Sequence, residues 1–519
     1  MLPSVLSAAG AACRLMLELS VNFARAARRA TLDVDIILSR WLSFAVLLTI
    51  VAAYYFFLLS NGTFQLFAPE LLDKTFDNML VHLLRGDFTV DRAAIGDEAF
   101  THGGKTYAYF GIFPALLRLF AMPFTNVGQA HLARLSCLMA VVIFVALQLR
   151  TLLIVHHSVP VASRRPEFLA VAALATVLSG PQLYILALAW VFLEELLWSA
   201  VMAAAFNLII VRATFGGKNL RGRDFALLAG LAGIAVNTRP SIGVALYLGT
   251  ILLVAWALWL RLAGRGTRQS AGEATHLSTT ILLPIAILGL SAAVGGIVNF
   301  ERWGNPFTFA DFHYYDMGVW AYPNLPEILR NYGEFNIGRI WIGALYYATD
   351  IPYLLHTLSP FAEFLRARFQ LIEGPPMTPV LTNPLTIILA GIGLYRVWWR
   401  PEPSMRGVAI LRLVLLGHSS AVLLILAAMG YTMRYRFDFA PFMTLAAVVG
   451  YASISVAMTE MSKSWRKRVR ITAIGLCFLG IVTSHYELLL YKVYSWPVPM
   501  NVRLALLPFA PFAHYVFGR

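Results

Sequence analysis

Several stretches of this chain run for about 20 residues with almost no charged side chain, the length that an α-helix needs to cross a bilayer. Residues 42–60 and 281–298 are clear examples. Hydrophobic residues make up 59% of the 519 residues and charged ones 13%, whereas soluble globular proteins carry about a quarter charged residues. The sequence therefore predicts an all-α polytopic membrane protein and excludes soluble, fibrous and disordered classes.

Hydropathy predicts about eleven membrane spans. They are residues 42–60, 130–154, 168–187, 190–211, 225–237, 241–260, 276–298, 382–398, 408–430, 439–458 and 471–490. Alternation from a cytoplasmic N-terminus places only basic loops inside, as the positive-inside rule requires. These loops contain Arg164/Arg165, Arg212/Lys218/Arg221/Arg223, Arg261/Arg265/Arg268, Arg396/Arg400/Arg406 and Lys463/Arg466/Lys467/Arg468/Arg470. The net charge of +14 is thus explained by topology, and nucleic acid is not an expected partner.

Two segments need separate treatment. Residues 337–360 are apolar, but a crossing there would invert every later loop, so we predict an interfacial or re-entrant segment on the outer side. Residues 225–237 are short for a span. With Asn237-Thr-Arg-Pro-Ser241 they predict a broken hairpin that dips from the outer face.

The predicted organisation has three parts. Residues 1–41 form a cytoplasmic or interfacial segment with no expected cleaved signal peptide, because Arg14 and Glu18 interrupt its apolar run. Residues 42–490 form the membrane bundle, with interfacial helices in the extracytoplasmic loops 61–129 and 299–381. Residues 491–519 form an extracytoplasmic tail. Three widely separated cysteines provide neither a disulfide framework nor metal-ligand spacing: Cys13, Cys137 and Cys477.

The uncommon polar residues concentrate on the outer side of this topology. A carrier would place polar or broken segments near the bilayer midplane in two corresponding halves, and the two halves of this sequence show no repeat. An enzyme on the outer face is therefore favoured.

Asp73 and Asp77 are four residues apart in a stretch with helical periodicity, so their carboxylates are predicted to share a helix face. Such a pair is suited to general-base chemistry or to a divalent cation, while a solvated helix face is the alternative. Further along the loop, Gly103-Gly-Lys-Thr lacks the Walker spacing and is not taken as a nucleotide site. Tyr107 and Tyr109 are either interfacial belt residues or stack on a sugar.

Charged residues inside or beside spans mark other candidates. Glu194 and Glu195 lie within an apolar span, and Arg239 is a partner for them, in a structural or a functional pair. The polar and aromatic segment 299–316, which includes Arg302 and His313, is either an interfacial anchor or part of a site. Arg434 and Arg436 lie on the outer side, against the topological bias, and call for an anionic partner.

The order of these motifs resembles the bacterial GT-C type membrane glycosyltransferases over roughly residues 42–460. The matching fragments are Phe76-Asp-Asn, Leu83-Leu-Arg-Gly-Asp87, Gly104-Lys-Thr-Tyr-Ala-Tyr-Phe-Gly-Ile-Phe-Pro-Ala-Leu-Leu-Arg118, Asn237-Thr-Arg-Pro, Asn299-Phe-Glu-Arg-Trp-Gly-Asn-Pro-Phe and Arg434-Tyr-Arg-Phe-Asp-Phe-Ala-Pro441. The resemblance implies a bundle of about eleven to thirteen transmembrane helices, an essential acidic residue in the first outer loop, and a polyprenyl-phosphate sugar donor. Many members carry a tight acidic pair there, whereas Asp73 and Asp77 are four apart. Metal dependence is therefore left open.

The resemblance implies an inverting hexosyl or pentosyl transferase at the outer face of a bacterial inner membrane. Asp77, or second Asp73, would be the catalytic carboxylate, and Arg239, Arg434 and Arg436 would bind the donor phosphate. Substrate binding is assigned to Lys105, Tyr107, Tyr109, Glu194, Glu195, Arg302, His313 and Asp438. The expected partners are the lipid-linked donor, a lipid or glycan acceptor and membrane lipids. The one cofactor considered is a divalent cation, Mg²⁺ or Mn²⁺.

Two other classes of function stay open at this point. A transporter or flippase of lipid-linked sugars would use the same arginines and aromatic residues without a base. A noncatalytic assembly protein of the envelope would show no turnover.

Overall fold

The computed structural model describes residues 34–263, 278–349, 360–373, 377–401 and 407–494, and these are mostly helical. The helices are α1 Val34–Ser39, α2 Trp41–Leu59, α3 Thr75–Leu83, α4 Arg92–Ile95, α5 Phe113–Leu117, α6 Ala133–Ser158, α7 Pro166–Leu178, α8 Pro181–Ile185, α9 Val191–Thr214, α10 Gly222–Val236, α11 Pro240–Leu262, α12 Leu283–Trp303, α13 Met317–Trp320, α14 Leu325–Tyr332, α15 Ile340–Ala348, α16 Phe361–Arg366, α17 Pro379–Thr382, α18 Pro384–Trp398, α19 Val408–Ala427, α20 Ala440–Glu460 and α21 Lys463–Tyr494.

Nine helical segments among the described residues are long and apolar enough to cross a membrane. They are Trp41–Leu59, Ala133–Ser158, Pro166–Ile185, Val191–Thr214, Pro240–Leu262, Ser278–Trp303, Val408–Ala427, Met433–Glu460 and Lys463–Lys492. The predicted all-α polytopic membrane class is therefore confirmed. The two remaining predicted spans, 225–237 and 382–398, are the shorter helices α10 and α18.

Helix α10 differs from the predicted broken hairpin, because it is a continuous helix from Gly222 to Val236. It begins on the basic side, where the Asp224 carboxylate accepts a hydrogen bond from the Arg221 backbone N–H at 2.9 Å. A Cβ on Gly233 would lie 2.1 Å from the Ser291 hydroxyl, so α10 packs closely against α12. Its end reaches the first outer loop, where the Phe113 N–H donates to the Asn237 carbonyl.

The segment predicted to stay outside the membrane contains α15, which has nine residues. At about 1.5 Å per residue such a helix is too short to cross a hydrocarbon core of about 30 Å. Its buried Tyr346 stacks on Tyr431 at a centroid distance of 5.2 Å. The predicted N-terminal segment before residue 34, the tail after residue 494 and residues 350–359 lie outside the described ranges.

The outer loops pack on one another through aromatic residues and two small sheets. Strands β1 (Phe100–His102) and β2 (Lys105–Tyr107) form an antiparallel hairpin, and β3 (Leu371–Ile372) pairs in parallel with β4 (Gly430–Tyr431). The Phe100 ring is fully buried and lies 5.0 Å from Tyr315 and 5.5 Å from Trp303. These contacts hold both long loops over the outer ends of the spans.

Helices α18 and α20 are in backbone contact through glycines, which generates a stability prediction. A Cβ on Gly393 would lie 1.9 Å from the Ala446 carbonyl oxygen, whereas a Cβ on Gly391 of the same helix meets nothing within 4 Å. Gly393→Ala should therefore destabilise the protein by at least about 1–3 kcal/mol through overpacking, while Gly391→Ala should be close to neutral. The thermal midpoints of both variants in detergent test this, and equal midpoints would contradict the backbone contact.

Candidate functional site

Two adjacent glutamates at the start of α9, Glu194 and Glu195, organise the candidate site. Both side chains are buried, at 1% and 2% exposure. Neighbouring positions on a helix point about 100° apart, so the two carboxylates reach different partners. Each one binds a different arginine, and each arginine binds an aspartate from a distant part of the chain.

The first network joins Glu194 to the first outer loop. The Arg118 guanidinium donates through Nε to Asp77 Oδ1 at 2.8 Å and through Nη2 to Glu194 Oε2 at 2.9 Å, and its Nη1 also pairs with Glu194. The Ser136 hydroxyl donates to Glu194 Oε1 at 2.5 Å, while the Trp198 indole N–H donates to the Ser136 oxygen. This network positions α3, α5 and α6 against α9.

The second network joins Glu195 to two later segments. Arg239 donates through Nη1 to Glu195 at 2.6 Å, and through Nε and Nη2 to the two Asp438 oxygens at 2.7 and 2.8 Å. The Ser241 hydroxyl also donates to Asp438, at 2.5 Å. A bidentate arginine–carboxylate pair has fixed geometry, so this network sets the position of the turn around Asp438. The predicted association of Glu194 and Glu195 with Arg239 is thus found for Glu195, while Glu194 binds Arg118.

Asp73 does not share a helix face with Asp77, so that prediction is wrong. Helix α3 begins at Thr75, and Asp73 lies in the preceding turn. Its carboxylate accepts hydrogen bonds from the Glu70 backbone N–H at 3.1 Å and pairs with His131 Nδ1 at 2.5 Å. Within the described ranges, no three His, Cys, Asp or Glu side chains are grouped to hold a metal ion.

Asp77 is fully buried, and its Oδ2 atom has no hydrogen-bond partner among the described residues. Burial raises the pKa of Asp77 to about 6, although the nearby Arg118 charge opposes this rise. The carboxyl therefore changes protonation closer to neutral pH than an ordinary aspartate, whose pKa is about 3.9.

Arg434 carries a positive charge close to the second network, since it acts on Glu195 electrostatically. In the part of the chain that the structure describes, no ion pair within 4.0 Å involves it, and its buried Nε has no acceptor. Its guanidinium carbon lies 4.2 Å from the Phe192 ring centroid and 5.6 Å from that of Tyr435. Cation–π contacts hold a guanidinium through its flat face, so its N–H donors, which lie in the guanidinium plane, are not used by these contacts.

Arg436 lies two residues further on and is only partly paired. Its Nη1 donates to Glu487 at 2.9 Å, while its buried Nε and Nη2 have no partner among the described residues. Arg436 and Glu487 line a mostly apolar cavity of about 400 Å³. Its walls come from several spans and include Phe144, Leu152, Ala172, Leu389, Met443 and Val448.

One aromatic residue, Tyr109, and one acidic residue, Glu98, complete the surroundings of Arg434. Burial raises the pKa of the Tyr109 hydroxyl well above its ordinary value, and the nearby Glu195 charge adds to this rise. Burial also raises the pKa of Glu98, which the Arg434 charge partly offsets. The Glu98 Oε2 atom accepts a hydrogen bond from the Tyr315 hydroxyl at 2.8 Å.

Sequence reasoning gave no role to Arg118 or Glu98. Each carried a signal, because Arg118 follows the apolar run after Pro114, and Glu98 is flanked by the buried apolar residues Ile95 and Ala99. A charge among buried neighbours needs a partner. The spacing of residues along the sequence does not show which partner Arg118 or Glu98 has.

The remaining predicted site residues have contacts elsewhere. Lys105 is exposed in the β1–β2 hairpin, and Tyr107 is buried 5.7 Å from the Trp303 ring. Arg302 is buried and donates to the Phe110 carbonyl at 2.9 Å, which anchors α12 to the first loop. His313 is exposed and pairs with Asp311 at 2.8 Å. Among the described residues, none of these four side chains shares a hydrogen bond or an ion pair with either arginine network.

No family model and no curated protein matches the sequence. Among solved structures, the chain is similar to the apo Archaeoglobus fulgidus oligosaccharyltransferase (15% identity over 89% of this chain and 59% of that chain, TM-score 0.43). It is also similar to AglB from the same organism in complex with an inhibitory peptide and a dolichol-phosphate (15% identity over 90% of this chain and 60% of that chain, TM-score 0.42). ArnT from Cupriavidus metallidurans bound to undecaprenyl phosphate is a third similar structure (14%, 90%, 70%, 0.44).

These proteins are of the GT-C class that the sequence motifs resemble. The chain spans 59% of the first oligosaccharyltransferase structure.

The buried Arg118 network generates a second prediction. Arg118→Ala leaves Asp77 and Glu194 buried without their cation, so it should destabilise the protein by about 3–5 kcal/mol. The matched control is Arg92→Ala, which removes an arginine that is half exposed and paired with Asp316. An exposed pair contributes about 0–1 kcal/mol. Unfolding of both variants in detergent tests this, and equal losses of stability would contradict the structural role of Arg118.

Proposed function

We propose that this protein is a membrane glycosyltransferase that moves a hexose or pentose from a polyprenyl-phosphate donor to an envelope acceptor with inversion. The observation that carries the proposal is a set of buried N–H donors, Arg434 Nε and Arg436 Nε and Nη2, which have no acceptor among the described residues. Arg436 also lines a cavity with mostly apolar walls. An unsatisfied buried donor costs about 1–3 kcal/mol, so a ligand that supplies acceptors is favoured there.

A polyprenyl phosphate fits both parts of this arrangement. Its phosphate oxygens would accept hydrogen bonds from Arg434 Nε and from Arg436 Nε and Nη2, since arginine binds phosphate through several N–H groups at once. Its apolar tail would lie in the cavity of about 400 Å³ that Arg436 lines. Removal of apolar tail surface from water adds to the affinity.

Arg239 takes a different role from the one the resemblance implied. Its Nε, Nη1 and Nη2 already donate to Asp438 and Glu195. We assign it to positioning, because Asp438 shares the 3₁₀ segment Met433–Phe439 with Arg434 and Arg436. Arg239 would thereby hold the two phosphate-binding arginines in place.

In the proposed reaction the acceptor hydroxyl oxygen attacks the anomeric carbon from the face opposite the phosphate. The bond between that carbon and the phosphate oxygen breaks, and polyprenyl phosphate leaves with the electron pair. A carboxylate takes the acceptor proton, and Arg434 and Arg436 stabilise the charge that grows on the phosphate. Tyr109, Trp190 and Tyr435 would supply aromatic surface for the sugar.

Two carboxylates are candidates for the base. Asp77 is the proposed base, because its buried Oδ2 atom has no hydrogen-bond partner among the described residues and would take the acceptor proton. Glu98 is the second candidate, because it is only partly buried and lies close enough to Arg434 for its pKa to respond to that charge. The described carboxylates form no group that could hold a metal ion, so the proposed mechanism assigns no step to a metal ion.

We further propose a location in a bacterial inner membrane, with the site facing the periplasm. The support is the basic character of every loop on the opposite side. Cysteine labelling of Lys105→Cys in intact cells tests this orientation. The native cysteines that the structure describes, Cys137 and Cys477, are buried, so they give little background.

Loss of the donor-binding arginine provides the third prediction. Arg434→Ala should raise the KM for the donor by about 10- to 100-fold, because charge-assisted hydrogen bonds contribute about 1.5–3 kcal/mol. Lys105→Ala removes one exposed positive charge from the β1–β2 hairpin and should leave the KM unchanged. The measurement is release of polyprenyl phosphate from a panel of polyprenyl-phosphate sugars by protein in lipid discs, with envelope acceptors and with or without chelator.

The outcome also separates the enzyme from its rivals. Release by the purified wild-type chain excludes a noncatalytic assembly protein. Binding of donors that Arg434→Ala abolishes, without release from any donor, would overturn the enzyme and favour a transporter or flippase of lipid-linked sugars.

The fourth prediction concerns pH. A general base acts in its ionised form, so kcat/KM should fall about tenfold per pH unit below about 6, where Asp77 becomes protonated, and should be level above it. Asp77→Asn should lower kcat by about 10²–10⁴-fold and remove this dependence, with donor binding retained. If Asp77→Asn keeps the activity and Glu98→Gln abolishes it, the base is Glu98.

A further inference from the structure

A second cavity, which has basic side chains in its lining, lies between the C-terminal parts of α6 and α9, and we call it the basal groove. Its volume is about 450 Å³. It is lined by Arg150, Leu153, Ile154 and His157 of α6, by Leu208 and Arg212 of α9, and by Gly216 and Lys218 of the following loop. The α6 positions have the i, i+3, i+4, i+7 spacing of one helix face.

The basal groove is distant from the candidate site. Helices α6 and α9 both start at the candidate site, where the Ser136 hydroxyl donates to Glu194. At about 1.5 Å per residue, Arg150 and Arg212 lie roughly 21 and 27 Å further along their helices. The groove is thus at the end of the bundle that the positive-inside rule predicts to be cytoplasmic.

The basal groove carries three positive charges, those of Arg150, Arg212 and Lys218. Among the residues that the structure describes, no acidic side chain lies within 4.0 Å of these three, and no described Asp or Glu lines the groove. Arg150 is held in place, since its Nη1 donates to the Leu38 carbonyl at 3.1 Å and its guanidinium carbon lies 4.2 Å from the Phe44 ring centroid. Its other N–H groups have no hydrogen-bond acceptor among the described residues.

The apolar residues Leu153, Ile154 and Leu208 form a wall beside these cations. Topology alone explains basic side chains on this side of a membrane, but it does not require a cavity or an apolar wall. The volume of about 450 Å³ exceeds the roughly 30 Å³ of one water molecule many times, so the groove has room for more than a single ion.

We propose that the basal groove binds the headgroup of an anionic phospholipid, with an acyl chain along the apolar wall. Basic pockets between transmembrane helices are suited to phosphate-bearing headgroups, and the apolar wall distinguishes a lipid from a soluble phosphate. This site is separate from the proposed transfer of a sugar, so its occupation is measured without any assay of activity.

Lipid retention in detergent tests the proposal. The purified full chain is mixed with phosphatidylglycerol or phosphatidylcholine, and bound lipid is counted by native mass spectrometry. Wild-type protein should retain phosphatidylglycerol preferentially, and Arg212→Ala/Lys218→Ala should weaken that retention by about 30-fold, since each basic side chain contributes a factor of about five. The control Lys463→Ala/Lys467→Ala removes two exposed lysines from the first turns of α21 and should retain the lipid.

A third variant tests the cavity itself. Ile154→Trp fills the apolar wall without a change of charge, and it should also lose phosphatidylglycerol while its thermal midpoint stays close to that of the wild type. Equal loss in the lysine control, or equal retention of both lipids by the wild type, would overturn the proposal. Displacement of the lipid by millimolar inorganic phosphate would overturn the lipid as the ligand in favour of free phosphate.

Discussion

The structure depends on the burial of two adjacent carboxylates, Glu194 and Glu195, at the start of α9. A buried charge is costly unless it is paired, so each glutamate binds an arginine from a different segment. Glu194 holds Arg118 and through it Asp77 of the first loop, while Glu195 holds Arg239 and through it Asp438. Segments separated by more than 300 residues are thereby fixed around one turn of helix.

This arrangement divides the arginines of the site into two groups. Arg118 and Arg239 donate to two carboxylates each, so they position the segments that carry them. Arg434 and Arg436 keep buried N–H groups that have no acceptor in the described part of the chain, and Arg436 lines a cavity with mostly apolar walls. The difference is one of satisfied and unsatisfied hydrogen bonds, and it directs the proposed phosphate to the second group.

Much of the fold follows from local sequence, whereas the pairing of charges does not. Each predicted span contains a helix, because about 20 apolar residues in a membrane satisfy their backbone hydrogen bonds only as a helix or a closed barrel. The exceptions have local causes. Asp73 precedes α3, so the helical spacing that predicted a shared face with Asp77 does not apply to it. Helix α10 is short but continuous, and its Gly233 allows close packing on α12.

The sequence by itself determined the membrane class, the positions of the helices and the side on which the polar residues gather, because hydropathy and loop charge are local properties. It also placed Asp77, Glu194, Glu195, Arg239, Arg434, Arg436 and Asp438 among the candidates. Only the tertiary structure decided which cation each carboxylate binds, that Arg118 and Glu98 belong to the site, and which guanidinium groups are left open. Those properties depend on contacts between segments far apart in the chain, and no spacing within one segment specifies them.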